Sequence, residues 1–91
     1  MSVQAEHGLC SELTEQPGRR LVHLVNYRAD DPIRNIAIRL RLPAERQVQA
    51  VTLVSPERKN DLQLSFRQQA GVATFHVPQV GTYDIAVVTM R

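Results

Sequence analysis

The chain has 91 residues, 43% of them hydrophobic and 22% charged, with a formal net charge of +2. That length holds a single domain with one core, and the composition is too apolar for a disordered segment. Nine acidic residues nearly balance eleven basic ones, ten of them arginine, and the two signs are interspersed, so no basic tract points to nucleic acid.

Cys10 stands alone, so no internal disulfide is expected, and a small domain without one leans toward a reducing, cytoplasmic setting. The opening "MSVQAEHGLC" has neither a basic stretch nor an apolar core, so no signal peptide is expected. No run reaches the length of apolar residues that crosses a bilayer, and no membrane partner is expected.

In chain order, short runs with period-two apolar alternation are separated by turn chemistry at a spacing of roughly 8–12 residues, the pattern of a β-sandwich or barrel. Residues 3–7 are the first predicted strand and 9–15 the second. "EQPGRR" follows as a turn, with Pro17 and Gly18 suited to its dihedrals. The third strand, 20–28, contains "RLVHLVNY", and "ADDP" (29–32) is a loop. Residues 33–42 give the clearest alternation: Ile36, Ile38, Leu40 and Leu42 on one face, Ala37, Arg39 and Arg41 on the other, with Pro43 as the stop. Strands are further predicted over 47–55, over 62–67 with Leu62, Leu64 and Phe66 on one face, over 72–77, and over 82–89. "QQAG" is a turn between the third-last and second-last of these, and Pro78 and Gly81 lie in the final connection. The fold class is therefore all-β: a two-sheet antiparallel β-sandwich of about 7–8 strands, immunoglobulin-like or of the glycosyl-hydrolase C-terminal type, with residues 1–91 as one domain.

Three runs depart from simple alternation. Leu21, His23, Val25 and Tyr27 oppose Val22, Leu24 and Asn26; Val51 and Leu53 oppose Thr52 and Val54; Ile85 and Val87 oppose Ala86 and Val88. Near-continuous apolar strands are buried on both sides, and an isolated sandwich has no layer for the second side. One sheet is expected to pack on something else, either another domain of a larger protein or a second copy of the chain.

No catalytic constellation is visible. His7, His23 and His76 lack partners at metal-ligand spacing, so no metal site and no cofactor are expected. A thiol–imidazole pair of Cys10 with His7 or His23 lacks a third group to orient it. Asp30 and Asp31 precede Pro32 and suit a turn; the four glycines are scattered and form no phosphate loop. The weak ligand-binding candidates are Tyr27, Asn26 and His23, each with a plainer role: His23 as a half-buried strand residue, Asn26 as a cap on neighbouring backbone. Sugar-binding sandwiches present flat aromatic platforms, whereas this chain has no Trp, and alternation places Phe66, Phe75 and Tyr83 on apolar faces, leaving only Tyr27 spare. The Arg39–Arg41 pair is read as a solvated face or as salt bridges to a neighbouring acidic surface.

"GRRLVHLVNY", "PIRNIAIRLRLP", "VQAVTLVSPE" and "GVATFHVPQVGTYDIAVV", from Gly18 to Val88, together resemble the C-terminal β-sandwich domain of bacterial glycoside hydrolases. Those are putative glycosidases with a β-galactosidase-trimerisation-like middle domain, or α-fucosidase-like chains. The resemblance implies a non-catalytic accessory domain that packs against the rest of the enzyme. The family's catalytic carboxylates lie in a barrel outside the matching stretch, so none carries over to any position here. The expected partners are the rest of a glycoside hydrolase or a second copy, with carbohydrate as a further ligand class. The alternatives are a small carbohydrate- or ligand-binding module and a free-standing, self-associating immunoglobulin-like interaction domain.

Overall fold

The computed structural model describes residues 1–5, 7–28 and 30–91; Glu6, inside the predicted 3–7 strand, and Ala29, at the start of the predicted 29–32 loop, lie outside them. Among the described residues there are nine strands and no helix: β1 (Ser2–Gln4), β2 (Leu9–Gln16), β3 (Arg19–Asn26), β4 (Ile33–Arg41), β5 (Val48–Val54), β6 (Leu62–Leu64), β7 (Phe66–Gln69), β8 (Val72–Val80) and β9 (Tyr83–Met90). They form a four-stranded sheet, β1-β4-β8-β7, and a five-stranded sheet, β2-β3-β9-β5-β6. Every neighbouring pair is antiparallel. The molecule is the two-sheet antiparallel sandwich that the alternation predicts.

The core lies between the sheets. Val22 and Leu24 of β3, Val51 and Leu53 of β5, and Ala86 and Val88 of β9 meet Ile36, Ile38 and Leu40 of β4 and Ala73, Phe75 and Val77 of β8, all buried. Burying each large side chain of this set is worth about 1.5–3 kcal/mol relative to leaving it exposed. The dry face of β4 is the predicted one: Ile36, Ile38, Leu40 and Leu42 are buried, and Arg39 and Arg41 are exposed.

Two expectations need correction. Residues 62–67 are not one strand: β6 pairs with β5, β7 pairs with β8, and Ser65 alone carries the chain from one sheet to the other. Leu62, at the start of the edge strand β6, is exposed, while Leu64 and Phe66 pack on the core from opposite sheets. Alternation cannot register this change, because a strand that crosses between layers can keep its apolar parity. Pro78 does not end a strand either; it lies inside β8. Opposite it on β4 sits Asn35, at φ 55°. Pro78 has no N–H to give the ladder. The alternation steps by one here: Ile33 and Ile36, three residues apart, are both buried, as are their partners Val80 and Val77.

The tight turns follow their residues. Gly18 after Pro17 takes φ 76°, the left-handed conformation that the "QPGR" turn requires of its second central residue. Ala70 and Gly71, with φ 52° and 75°, join β7 to β8; both central residues are left-handed, as in the hairpin turn that favours Asn-Gly.

Candidate functional site

The outer face of the five-stranded sheet follows from its register. Glu12, His23, Ile85 and Val54 form one cross-strand row, and Thr14, Leu21, Val87 and Thr52 form the next; Cys10, Val25 and Tyr83 complete a third. Leu21, Val25, Val54, Ile85 and Val87 are half-buried on it, shielding one another along three adjacent strands. These are the second-side residues of the three runs whose alternation fails, and their opposites Val22, Val51, Leu53, Ala86 and Val88 are all in the core.

His23 sits within this face. Its Nδ1 lies 2.8 Å from the Tyr83 hydroxyl and its Nε2 lies 3.0 Å from Thr14 Oγ1. The His23 and Tyr83 rings are nearly parallel, 12° apart in plane with centroids 6.2 Å apart. Both hydroxyls can donate or accept, so a neutral imidazole satisfies both nitrogens in either tautomer. Glu12, Thr14, His23, Val25 and Tyr83 line a shallow depression of about 460 Å³. With both ring nitrogens engaged, the arrangement holds a histidine in place and presents hydroxyl, carboxylate and aromatic edges to whatever covers the face. No hydrogen bond joins Cys10 to His7 or His23 among the described residues.

The other two sequence candidates point elsewhere. Asn26 is 7% exposed and faces the core side at the end of β3. Its Nδ2 donates to the carbonyls of Asp31 at 3.0 Å, Val80 at 3.1 Å and Gly81 at 2.8 Å, and its Oδ1 accepts the Arg28 N–H at 2.7 Å. One amide thus fastens the β3–β4 loop and the β8–β9 turn to the end of β3. Tyr27 lies just beyond that strand, 74% exposed, anchored through its backbone N–H to the Gly8 carbonyl at 2.9 Å. Tyr27, Asn26 and His23 are therefore not gathered into one site.

Sequence reasoning passed over Asp84, the charged residue of β9, which is only 1% exposed. Arg58 donates from Nη2 to Asp84 Oδ1 at 2.9 Å and to the Leu53 carbonyl at 3.2 Å. Burial raises the Asp84 carboxyl above its ordinary value, Arg58 works in the opposite sense, and Glu57 adds to the rise. Around the pair, Ser55 Oγ donates to the Tyr83 carbonyl and accepts the Glu57 N–H, both at 3.1 Å. Glu57 Oε1 accepts the Thr82 N–H at 3.1 Å, closing the loop after β5 over the β8–β9 turn. The signal was present: Asp84 shares parity with Ala86 and Val88, and an acid on the core side of a strand needs a cation. Among the described residues no group of three or more His, Cys, Asp or Glu side chains could hold a metal ion.

No protein-family model matches the chain, and no curated protein matches it. Solved structures do. The chain is similar to α-L-fucosidase isoenzyme 2 from Paenibacillus thiaminolyticus, with a TM-score of 0.80 and 20% identity over 99% of this chain and 15% of that one. It is also similar to a Paenibacillus sp. cycloisomaltooligosaccharide glucanotransferase complexed with cycloisomaltoheptaose, with a TM-score of 0.74 and 14% identity over 93% of this chain and 16% of that one. At these identities the likeness is one of fold. The chain spans only 15% and 16% of these two proteins. The β-sandwich fold that the resemblance implies agrees with both.

Proposed function

We propose that the chain is a non-catalytic accessory domain of a glycoside hydrolase, docked on the rest of that enzyme or on a partner subunit through the outer face of its five-stranded sheet. The observation that carries this reading is the half-buried apolar face of Leu21, Val25, Val54, Ile85 and Val87. Covering it would recover part of the about 1.5–3 kcal/mol that each such side chain gains on full burial. The fold similarity to small parts of much longer sugar-processing enzymes supports it.

The test has three readouts on the 91-residue chain: mass in solution across a concentration series, binding of a hydrophobic dye, and release of nitrophenol from aryl glycosides. Self-association or dye binding is expected, reduced in Ile85→Lys/Val87→Lys with the melting transition retained, and no glycoside is expected to turn over. A monomeric, dye-negative chain would remove the docking face, and hydrolysis by the chain alone would remove the non-catalytic assignment.

A sugar-binding module is the second reading. It is favoured by the His23–Tyr83–Thr14 depression, whose aromatic ring and hydroxyls suit a saccharide. Loss of neutral-sugar binding in Tyr83→Ala would support it.

A further inference from the structure

The opposite face of the sandwich has another chemistry. The strands of the four-stranded sheet contain no Asp or Glu, yet they carry Arg34, Arg39, Arg41 and Arg67. On the outward side, Ser2, Arg39, Thr74 and Arg67 form one cross-strand row across all four strands. Arg41, Val72 and Gln69 form the row on one side of it; Gln4, Ala37 and His76 form the row on the other. Arg39, Arg41 and Arg67 are exposed and make no hydrogen bond or ion pair among the described residues. The strand spacing puts the backbones of Arg39 and Arg67 ~10 Å apart, and those of Arg39 and Arg41 ~7 Å apart. Shallow depressions of about 440 and 450 Å³ flank the Arg67–Thr74 pair.

From this juxtaposition of Arg39, Arg41 and Arg67 around Thr74, we infer that the outer face of the four-stranded sheet binds an acidic polysaccharide, a polymer whose sugars carry carboxylates. Three properties select that occupant. The cations on the sheet are all arginine, whose planar fork holds an oxyanion, carboxylate among them, through two parallel hydrogen bonds. They are spread across the width of three strands of an open face rather than converging on one point, which suits successive groups of a polymer better than one small anion. Ala37 and Val72 are the apolar residues of the three rows, so the face lacks the buried anchor of a protein interface, and Gln4, Gln69, Thr74 and Ser2 offer hydrogen bonds to sugar hydroxyls instead. It also lacks the aromatic platform that single-stranded nucleic acid stacks on, because Phe66 and Phe75 point to the core. The inference goes beyond the docking proposal and uses the opposite face.

The experiment measures binding of polygalacturonate to the 91-residue chain, with neutral dextran, dextran sulfate and a single-stranded RNA oligomer alongside. Raising salt from about 0.01 M to about 0.15 M shortens the screening length from about 30 Å to about 8 Å, so binding should weaken strongly over that range. Arg39→Glu/Arg67→Glu should weaken it by about tenfold or more. Arg19→Glu/Arg91→Glu makes the same change of net charge away from this face and should leave it within about twofold. If the reversed-charge pair does not fold, Arg39→Gln/Arg67→Gln replaces it, with an expected loss of several-fold. No binding to polygalacturonate overturns the inference. Equal loss in both charge-reversed pairs overturns the assignment to this face, and tighter binding to RNA or dextran sulfate overturns the choice of occupant. Failure here leaves dye binding and self-association untouched, so the two proposals fall separately.

Discussion

Arg58 reaches from the loop after β5 to set its Nη2 2.9 Å from the Oδ1 of Asp84, which lies on the core side of β9. Desolvation outweighs this partner, and the folded carboxyl keeps its proton to higher pH than the ordinary 3.8. Between 3.8 and the raised value the folded state therefore binds more protons than the unfolded chain, and stability falls as pH rises through that window. The advantage of the native chain over Asp84→Asn, which cannot titrate, should be largest below the ordinary carboxyl value and should shrink as pH rises. Denaturant midpoints of both proteins across acid pH would check this; an advantage that grows with pH would contradict it.

Asn26 should matter more than its modest size suggests. Truncation to alanine strands the buried Val80 carbonyl and removes the ties to Asp31, Gly81 and Arg28. Each unsatisfied buried group costs about 1–3 kcal/mol, so Asn26→Ala should lose at least that much. Equilibrium unfolding measures it, and a loss below about 0.5 kcal/mol would mean the amide is dispensable.

On the outer face the same logic gives smaller numbers. Tyr83→Phe removes one half-buried hydrogen bond to His23 and should cost about 0.5–1.5 kcal/mol. His23→Gln should fall in the same range, because glutamine can still address one of the two hydroxyls. Thermal melts of the two variants, alone and combined, would show less than additive losses if they share that bond.

In the core, Leu24 has no exposure, and Leu24→Ala should cost about 2–5 kcal/mol. A much smaller loss would mean that the inner faces of β3 and its neighbours can collapse onto the cavity.

Ala70 offers the reverse outcome. It sits at φ 52°, a conformation that costs an L-residue about 1–2 kcal/mol and that asparagine tolerates best among residues with side chains. Its side chain is exposed and Gly71 follows it, so Ala70→Asn creates the preferred hairpin pair and should stabilise the fold by about 0.5–1 kcal/mol. A lower melting temperature would argue against that turn geometry.

The architecture was legible where one side chain period met one environment. In β4, Ile36, Ile38 and Leu40 against Arg39 and Arg41 marked a strand with a dry and a wet side, and the structure buries and exposes them accordingly. The second apolar side of β3, β5 and β9 was legible as well, because Leu21, Val54, Ile85 and Val87 break the alternation that water would impose. What escaped the reading depends on partners distant in sequence. Pro78 lies inside its strand where the register passes Asn35, forty-three positions earlier by number, which takes a left-handed φ. Asp84 is tolerated because Arg58 arrives from another loop. The basic row needed the register of β4, β8 and β7, since Arg39 and Arg67 become neighbours only across Thr74.

The single-residue passage at Ser65 has a mechanical outcome. Because β6 belongs to one layer and β7 to the other, the backbone itself rivets the two layers together along one edge. With Ser65 as the whole connection, fraying of either short edge strand pulls directly on the adjoining residue of the other, so this seam is where the two layers share a boundary.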